Sequence, residues 1–324
     1  MKKKIYFLAP KNEWWTYFYY KEITNYLIQN FADTYEVYFC NSFKDYLKLH
    51  FIKSDIIFSI IPFLFKPVWA EKYFFNLHWN YKIERKNKWI WVKLLFLAEL
   101  NLWFCDRIIL TSYYLANKLN FRDKYIKKIE ILPNFINKIE KNKKVFDKNV
   151  IHLLTISSSN FLEKWLWVYE LATQIFKINN LNINWKIILP WNKENRWFIL
   201  DQINSIEKSI NIKIETFDFI QRDKLDDFYR NSDIFVYASN LETWGWVIME
   251  ACSFWKPIIL IKNDVWEYIY PNEFITNDLE DRLKQIINNF ALEKEKTYEF
   301  IKKYQIKHTI KKIIDLIDEI WNFE

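Results

Sequence analysis

The stretch RDKLDDFYRNSDIFVYASNLETWGWVIMEACSFWKPII, residues 222–259, holds the reading of the fold. IFVY at 234–237 is a short apolar run, the mark of a strand covered on both faces. A polar loop follows, then a helix over 246–253 and a second strand over 257–261. Strand, helix and strand in that order form a crossover unit, and such units build parallel sheets.

The same alternation runs outward in both directions. Strands are predicted at 5–9, 35–40, 55–61, 73–77, 107–111 and 129–132, with helices at 16–30, 90–101 and 112–120 between them. The stretch 139–149, IEKNKKVFDKN, is polar and Lys-rich and reads as a linker. The pattern then restarts, with strands at 151–157, 186–189, 212–216, 234–237 and 257–261 and helices at 166–179, 246–253 and 279–290. The last segment, 297–321, reads as one long amphipathic helix with Ile306, Ile310, Ile313, Ile314 and Ile317 on a stripe. The fold class is therefore α/β, with two doubly wound Rossmann-like domains facing a cleft. The expected organisation is 1–138 as an N-terminal acceptor domain, 139–149 as the linker and 150–296 as a C-terminal donor domain. A terminal helix over 297–324 is expected to pack back on the first domain. In such sheets ligands sit at the carboxyl ends of the strands.

The 324 residues are 51% apolar and 27% charged, an ordinary globular mix that excludes a disordered chain. Two counts are abnormal: one Gly and 17 Trp. At the usual frequency of about 7%, roughly 23 glycines are expected. A chain of this fold with one glycine has almost no residue suited to positive φ at its turns. Charge is uneven. Residues 1–148 hold 26 Lys and Arg against 14 Asp and Glu, and residues 149–324 hold 21 against 26. The basic half suits phosphates or an anionic membrane surface, or is a solvated Lys-rich face. Lysines scattered over predicted helices, with no nucleic-acid motif, argue against RNA or DNA as partner.

Cys40, Cys105 and Cys252 are odd in number and far apart, which points to a reducing compartment. The apolar run after the basic start is too short for a signal peptide. The most membrane-like stretch, 89–105, is interrupted by Lys93, Glu99 and Asn101 and does not read as a spanning helix. The expected location is cytoplasmic, peripheral on the inner face of the plasma membrane.

Glu242 and Glu250 form an E-x7-E pair. Eight residues are about 2.2 helical turns. A helix starting near Gly245 leaves Glu242 in the loop before it and puts Glu250 more than a turn inside. Both carboxylates then face one ligand, and the amides of Gly245, Trp246 and Val247 form a natural phosphate site. Carboxylates suit the paired hydroxyls of sugars and ribose. The bland alternative is two unrelated surface glutamates.

The stretch resembles the signature of the retaining family 4 glycosyltransferases of the GT-B fold, E-x-F-G-x-V-x-x-E-A, then small residues, then G-K-P-V-I. It stands here as ETWGWVIMEACSFWKPII, with Trp255 at a family glycine. Other segments look similar, in the family's order: LAPKNEWWT (8–16), LHWN (77–80), CDRIILTSYYLANKL (105–119), IEILPNFI (129–136), FLEKW (161–165), KIILPWN (186–192), RDKLDDFYRNSDIFVYAS (222–239) and NDVWEYI (263–269). Trp falls on family glycines at 14, 15, 79, 165, 191, 255 and 266. A UGA codon used for glycine in the source and translated as Trp accounts for this. Trp244 stands at the family's aromatic position and reads as genuine; Trp69, Trp185 and Trp321 stay open.

The resemblance implies transfer of a sugar, with retention, from a UDP- or GDP-sugar to a glycan or lipid-linked acceptor in cell-surface polysaccharide synthesis. It implies that Glu250 holds the ribose hydroxyls and that Glu242 contacts the transferred sugar, near the amides of Thr243, Gly245, Trp246 and Val247. Lys164 neutralises the diphosphate, as a compact cation should. Ser159 stands where the family usually has an Arg, a departure that weakens that site. His78 is expected at the cleft mouth, on donor sugar or acceptor, the alternative being a capped turn histidine. Trp14 and Trp15 stand in a loop expected near the phosphates or acceptor. No cofactor and no metal are expected: Asp226–Asp227 reads as a solvated helix face. A retaining glycosidase also uses two carboxylates, but flanking the bond, not from one loop–helix unit. The alternative of a different class is a catalytically inactive glycan- or nucleotide-sugar-binding protein of the same fold.

Overall fold

The computed structural model describes residues 2–9, 11, 14–77, 91–119, 123–141, 144–157, 162–178, 181–189, 193–206, 212–239, 245–263 and 265–321. Within these, the side chains at 14–16, 91–96, 118–119, 123–124, 162–166, 193–196, 199, 206, 222–223 and 320–321 are outside the description. The chain divides into two units, one of residues 1–134 with 306–324 and one of residues 135–305.

The first unit alternates β1 (Lys3–Leu8), α1 (Trp14–Phe31), β2 (Tyr35–Cys40), α2 (Phe43–Leu49), β3 (Ser54–Ser59), β4 (Ala70–Leu77), α3 (Trp91–Phe104), β5 (Arg107–Leu110), α4 (Tyr113–Leu119), α5 (Asp123–Ile126) and β6 (Ile129–Ile131). The strands pair in parallel in the order β2-β1-β3-β4-β5-β6. Aromatics fill its centre: Phe7, Phe58 and Phe74 lie in register across β1, β3 and β4, with ring centroids 4.9 and 4.7 Å apart. Asn101, which breaks the apolar run of α3, is buried and fully used. Its Oδ1 accepts from Phe63 N at 2.8 Å and Tyr73 OH at 2.7 Å, and its Nδ2 donates to Phe63 O at 2.8 Å. Among the described residues no helix is long and apolar enough to cross a membrane.

The second unit repeats the plan with β7 (Ile151–Ile156), α6 (Leu162–Ile175), β8 (Ile183–Ile188), α7 (Lys193–Ile206), β9 (Ile212–Phe217), α8 (Arg222–Asn231), β10 (Ile234–Tyr237), α9 (Trp246–Ser253), β11 (Ile258–Ile261), β12 (Ile275–Thr276), α10 (Leu279–Asn288) and α11 (Phe290–Ile301). Its parallel sheet runs β12-β11-β10-β7-β8-β9. One side-chain relay ties its centre: Trp185 Nε1 donates to Thr155 Oγ1 at 2.9 Å, and Thr155 Oγ1 donates to Val236 O at 2.9 Å. The Lys-rich stretch 139–149 is anchored in this unit. Glu140 pairs with Arg230 at 2.7 Å, Lys144 with Asp233 at 2.7 Å, and Phe146 stacks on Phe290 at 3.9 Å.

The terminal stretch is not the single helix its stripe suggests. α11 ends at Ile301, a 3-10 turn spans Lys302–Tyr304, and α12 (Ile306–Trp321) follows. Gln305 between them is extended and bridges Ile136, whose N–H donates to Tyr304 O at 2.8 Å. The stripe serves two cores: Phe300 and Ile301 are buried in the second unit, and Ile310, Ile313 and Ile317 in the first.

Candidate functional site

In the second unit, the chain leaves β7 toward β8 and β9 on one side and returns to β10 on the other. The strand order therefore switches between β7 and β10, and in such sheets ligands usually sit beyond the carboxyl ends of the strands at a switch point. Ser157 follows β7 there, buried, with no hydrogen-bond partner for its Oγ among the described residues. Ser239 follows β10.

Gly245, the one glycine of the sequence, caps the start of α9 with φ 73° and ψ 69°. A Cβ there would be strained by the positive φ and would stand 2.7 Å from Ile248 Cδ1, so the tip of that side chain would have to shift. Its carbonyl accepts from Ile248 N at 3.0 Å and Met249 N at 3.3 Å, opening the helix. The amides of Trp246 and Val247 follow at the N-terminal turn, where helices offer donors and a positive dipole end.

Glu250 lies inside α9 at 4% exposure. A buried carboxylate needs donors. Tyr229, on α8 and fully buried, supplies one: its hydroxyl lies 2.8 Å from Glu250 Oε2 and 3.2 Å from Val247 O. The Tyr229 ring stacks on Phe254, at the C-terminal end of α9, with centroids 5.4 Å apart and planes within 12°.

Two more residues hold the loop ends. Asn263 Nδ2 donates to Ser239 O at 2.6 Å, and its Oδ1 accepts from Val265 N at 2.9 Å and Trp266 N at 3.2 Å. This pins the end of β10 to the turn at Trp266–Tyr268. Lys256 is buried and donates from Nζ to Arg230 O at 3.1 Å and Ser232 O at 2.6 Å, fixing the C-terminal end of α8. Burial pushes its ammonium down to about 7, with Lys144 and Lys294 acting in the same direction and Asp233 opposing them.

The helix starts after Gly245, as expected, with Trp246 and Val247 in its first turn and Glu250 more than a turn inside. Glu242, Thr243, Ser159 and His78 lie outside the described residues. Lys164 falls in the first turn of α6, and its side chain is outside the description. Trp14 and Trp15 open α1 and are not in a loop, and Trp165 likewise lies in α6. The physical reason is that Trp has an ordinary helix propensity where Gly has a poor one, so the helices begin early. Tyr229, Asn263 and Lys256 were not singled out in the sequence. The available signal was a polar-tipped Tyr within an apolar position of the helix before the motif. Asp226 and Asp227 sit on α8 and pair with Arg230 at 3.7 and 2.8 Å. Among the described residues no three His, Cys, Asp or Glu side chains group as a metal site.

Residues 200–308 match the family described as glycosyl transferases group 1. No curated protein sequence matches the chain. Among solved structures the chain is similar to a glycosyltransferase from Rickettsia africae, with 13% identity, a TM-score of 0.67 and 99% of each chain covered. It is similar to a sucrose-phosphate synthase from Thermosynechococcus elongatus, with 11% identity, a TM-score of 0.74 and 100% of each chain covered. It is also similar to Anabaena HepE in complex with UDP and glucose, with 13% identity, a TM-score of 0.64, and 98% of this chain and 99% of that one covered. At such identities the likeness is one of fold: two Rossmann-like α/β domains of the GT-B kind. The fold and the matched segment together support a GT-B glycosyltransferase.

The buried lysine yields a stability prediction. Lys256 releases its proton near pH 7 in the folded chain, against an ordinary value of 10.5 when unfolded. Between those values the unfolded chain binds the extra proton, so stability rises with pH. From pH 7 to 9 the wild type should gain about 2 kcal/mol over Lys256→Met in urea unfolding. A pH-independent difference contradicts this.

Proposed function

We propose that this protein is a retaining glycosyltransferase of family 4 that moves a sugar from a UDP- or GDP-sugar to a glycan or lipid-linked acceptor, in cell-surface polysaccharide synthesis and without a metal. The observation that carries the reading is the turn at α9, with Gly245 left-handed at its head and Glu250 buried inside it. The match over residues 200–308 supports it, as does the fold shared with HepE, a protein crystallised with UDP and glucose.

In this reading the amides at the start of α9 receive phosphate oxygens and Glu250 accepts from the ribose hydroxyls. Glu242 and the amide of Thr243 receive the transferred sugar. Lys164 offsets the negative charge that builds on the leaving nucleoside diphosphate. Ser159 replaces a cation with a hydroxyl there, leaving more of that task to the helix end. His78 meets the sugar or acceptor from the first unit. Cleavage at a phosphate leaving group fits two glutamates from one loop–helix unit better than hydrolysis does.

We also propose that tryptophan replaces a native glycine at several of these positions. Trp255 has φ 55°, the one positive value at a non-glycine among the described residues. Its indole N–H is buried without a partner, as is that of Trp266. Trp185 differs: its N–H is bonded to Thr155, the mark of a genuine tryptophan. Trp266 has no positive φ, so at that position the support rests on the unpartnered N–H alone.

The acceptor reading extends to a cytoplasmic location at a membrane. All three cysteines are free and buried, in keeping with a reducing compartment. On α2 and just beyond it, Phe43, Leu47 and Phe51 are exposed at i, i+4 and i+8, flanked by Lys44 and Lys48. An apolar stripe edged with lysines suits an anionic bilayer.

Three outcomes are expected. Glu250→Gln should lower nucleotide release from the donor at least about tenfold while the thermal midpoint holds; unchanged kinetics removes Glu250 from the site. Trp255→Gly should relieve about 1–2 kcal/mol of left-handed strain and an orphaned N–H, against about 1 kcal/mol of stacking on Tyr298. Its thermal midpoint should rise by about 2 °C; a fall, or a UGG codon at that position, argues for a native tryptophan. The protein should sediment with phosphatidylserine vesicles and not with phosphatidylcholine vesicles, and equal sedimentation with both counts against the membrane reading.

A further inference from the structure

We propose that Tyr229 is the positioning residue of the nucleotide site: its hydroxyl holds one oxygen of Glu250 so that the carboxylate presents its other lone pairs to the ribose hydroxyls. The inference rests on the donor-site reading above and deepens it. A tyrosine hydroxyl has one proton to give, and Glu250 Oε2 and Val247 O both lie within hydrogen-bond distance of it. Glu250 Oε2 is both the closer, at 2.8 Å against 3.2 Å for Val247 O, and the charged one. The proton therefore goes to the carboxylate, in the stronger class of hydrogen bond.

The hydroxyl is held from several directions. The Tyr229 ring is stacked on Phe254 and lies 6.1 Å from the Phe235 ring. Its carbonyl accepts from Ser232 Oγ at 3.0 Å, and the following turn is fixed by Lys256 Nζ on Arg230 O and Ser232 O. Phe254 and Lys256 both come from the chain just after α9, so the helix that carries Glu250 also braces the helix that carries Tyr229. The hydroxyl reaches the carboxylate with no rotamer left to search, which is what a ligand-holding group needs from its support.

Given a buried Glu250, the hydroxyl supplies a donor it needs; a glutamate at this depth is what stability alone does not favour. A carboxylate at 4% exposure costs free energy that a buried apolar residue avoids. A phenylalanine at 229 would keep the stack on Phe254. The hydroxyl has a purpose only if the carboxylate has one.

The test uses isothermal titration of the full chain with UDP and with 2′,3′-dideoxy-UDP, or the guanosine pair if GDP binds more tightly. Wild type should prefer the ribose form by about tenfold or more, and Glu250→Gln should erase that preference. Tyr229→Phe should cut the preference at least about threefold while binding the dideoxy nucleotide within about twofold of wild type, with a cooperative melt whose midpoint falls by about 2–4 °C for the lost buried hydrogen bond. Incorporation of 3-fluorotyrosine at 229 keeps the ring and hydroxyl, makes it a stronger donor, and should preserve or raise the preference. It stands in if the Phe variant does not melt cooperatively, and a reduced preference in it overturns the proposal. Full preference retained in Tyr229→Phe overturns the proposal while the donor site stands. Equal loss for both nucleotides assigns Tyr229 a structural role only and overturns it as well. No preference in wild type, or none lost in Glu250→Gln, overturns the donor-site reading and this inference with it.

Discussion

Gly245 turns the chain through a left-handed conformation that a side chain adopts only under strain, and the start of α9 beyond β10 depends on that turn. It is the point at which the loop after β10 becomes α9. Its carbonyl starts the helix, and it also lies 3.3 Å from the Tyr270 hydroxyl, so the same residue is tied to the turn beyond β11. With any other residue, the turn would be strained and the tip of Ile248 would have to shift. The start of α9, and with it the place of Glu250 in the chain's path, follows from this turn.

What holds this turn is a set of polar side chains that bond backbone. Asn263 joins the end of β10 to the Trp266–Tyr268 turn, and Lys256 joins the strand side of β11 to the end of α8. Glu140 and Arg230 fasten the stretch entering the second unit to the outer face of α8, and Arg230 together with Lys138 holds the Glu140 carboxyl down to about 2. None of these contacts is a large energy alone. Together they leave α8 and α9 one mutual arrangement, so that a carboxylate on one and a hydroxyl on the other meet.

Much of this was legible in the sequence, for local reasons. Tyr35–Cys40, Ile234–Tyr237 and Trp246–Ser253 were read to the residue, because short apolar runs bounded by polar turns leave little choice. The site residues that could be read were those whose meaning lies in spacing: a glycine, then a carboxylate five residues on. Tyr229, Asn263 and Lys256 act over 21, 24 and 24 residues of separation, and no period in the sequence reports a contact of that kind. The break at Lys302–Tyr304 was hidden for a similar reason, since a stripe of isoleucines looks the same whether it serves one core or two. The tryptophans misled most at the helix starts. Read as glycines they mark loops, whereas Trp14 and Trp165 lie in helices in this structure.

The central claim is that the turn at Gly245 and the carboxylate of Glu250 form one nucleotide-sugar site. A crystal structure of the full chain grown with UDP tests this most directly. The account predicts the diphosphate against the first amides of α9 and the ribose hydroxyls within hydrogen-bond distance of Glu250, with Tyr229 still on the other carboxylate oxygen. Nucleotide bound away from α9, or a ribose turned from Glu250 with the carboxylate engaged only by Tyr229, would contradict it.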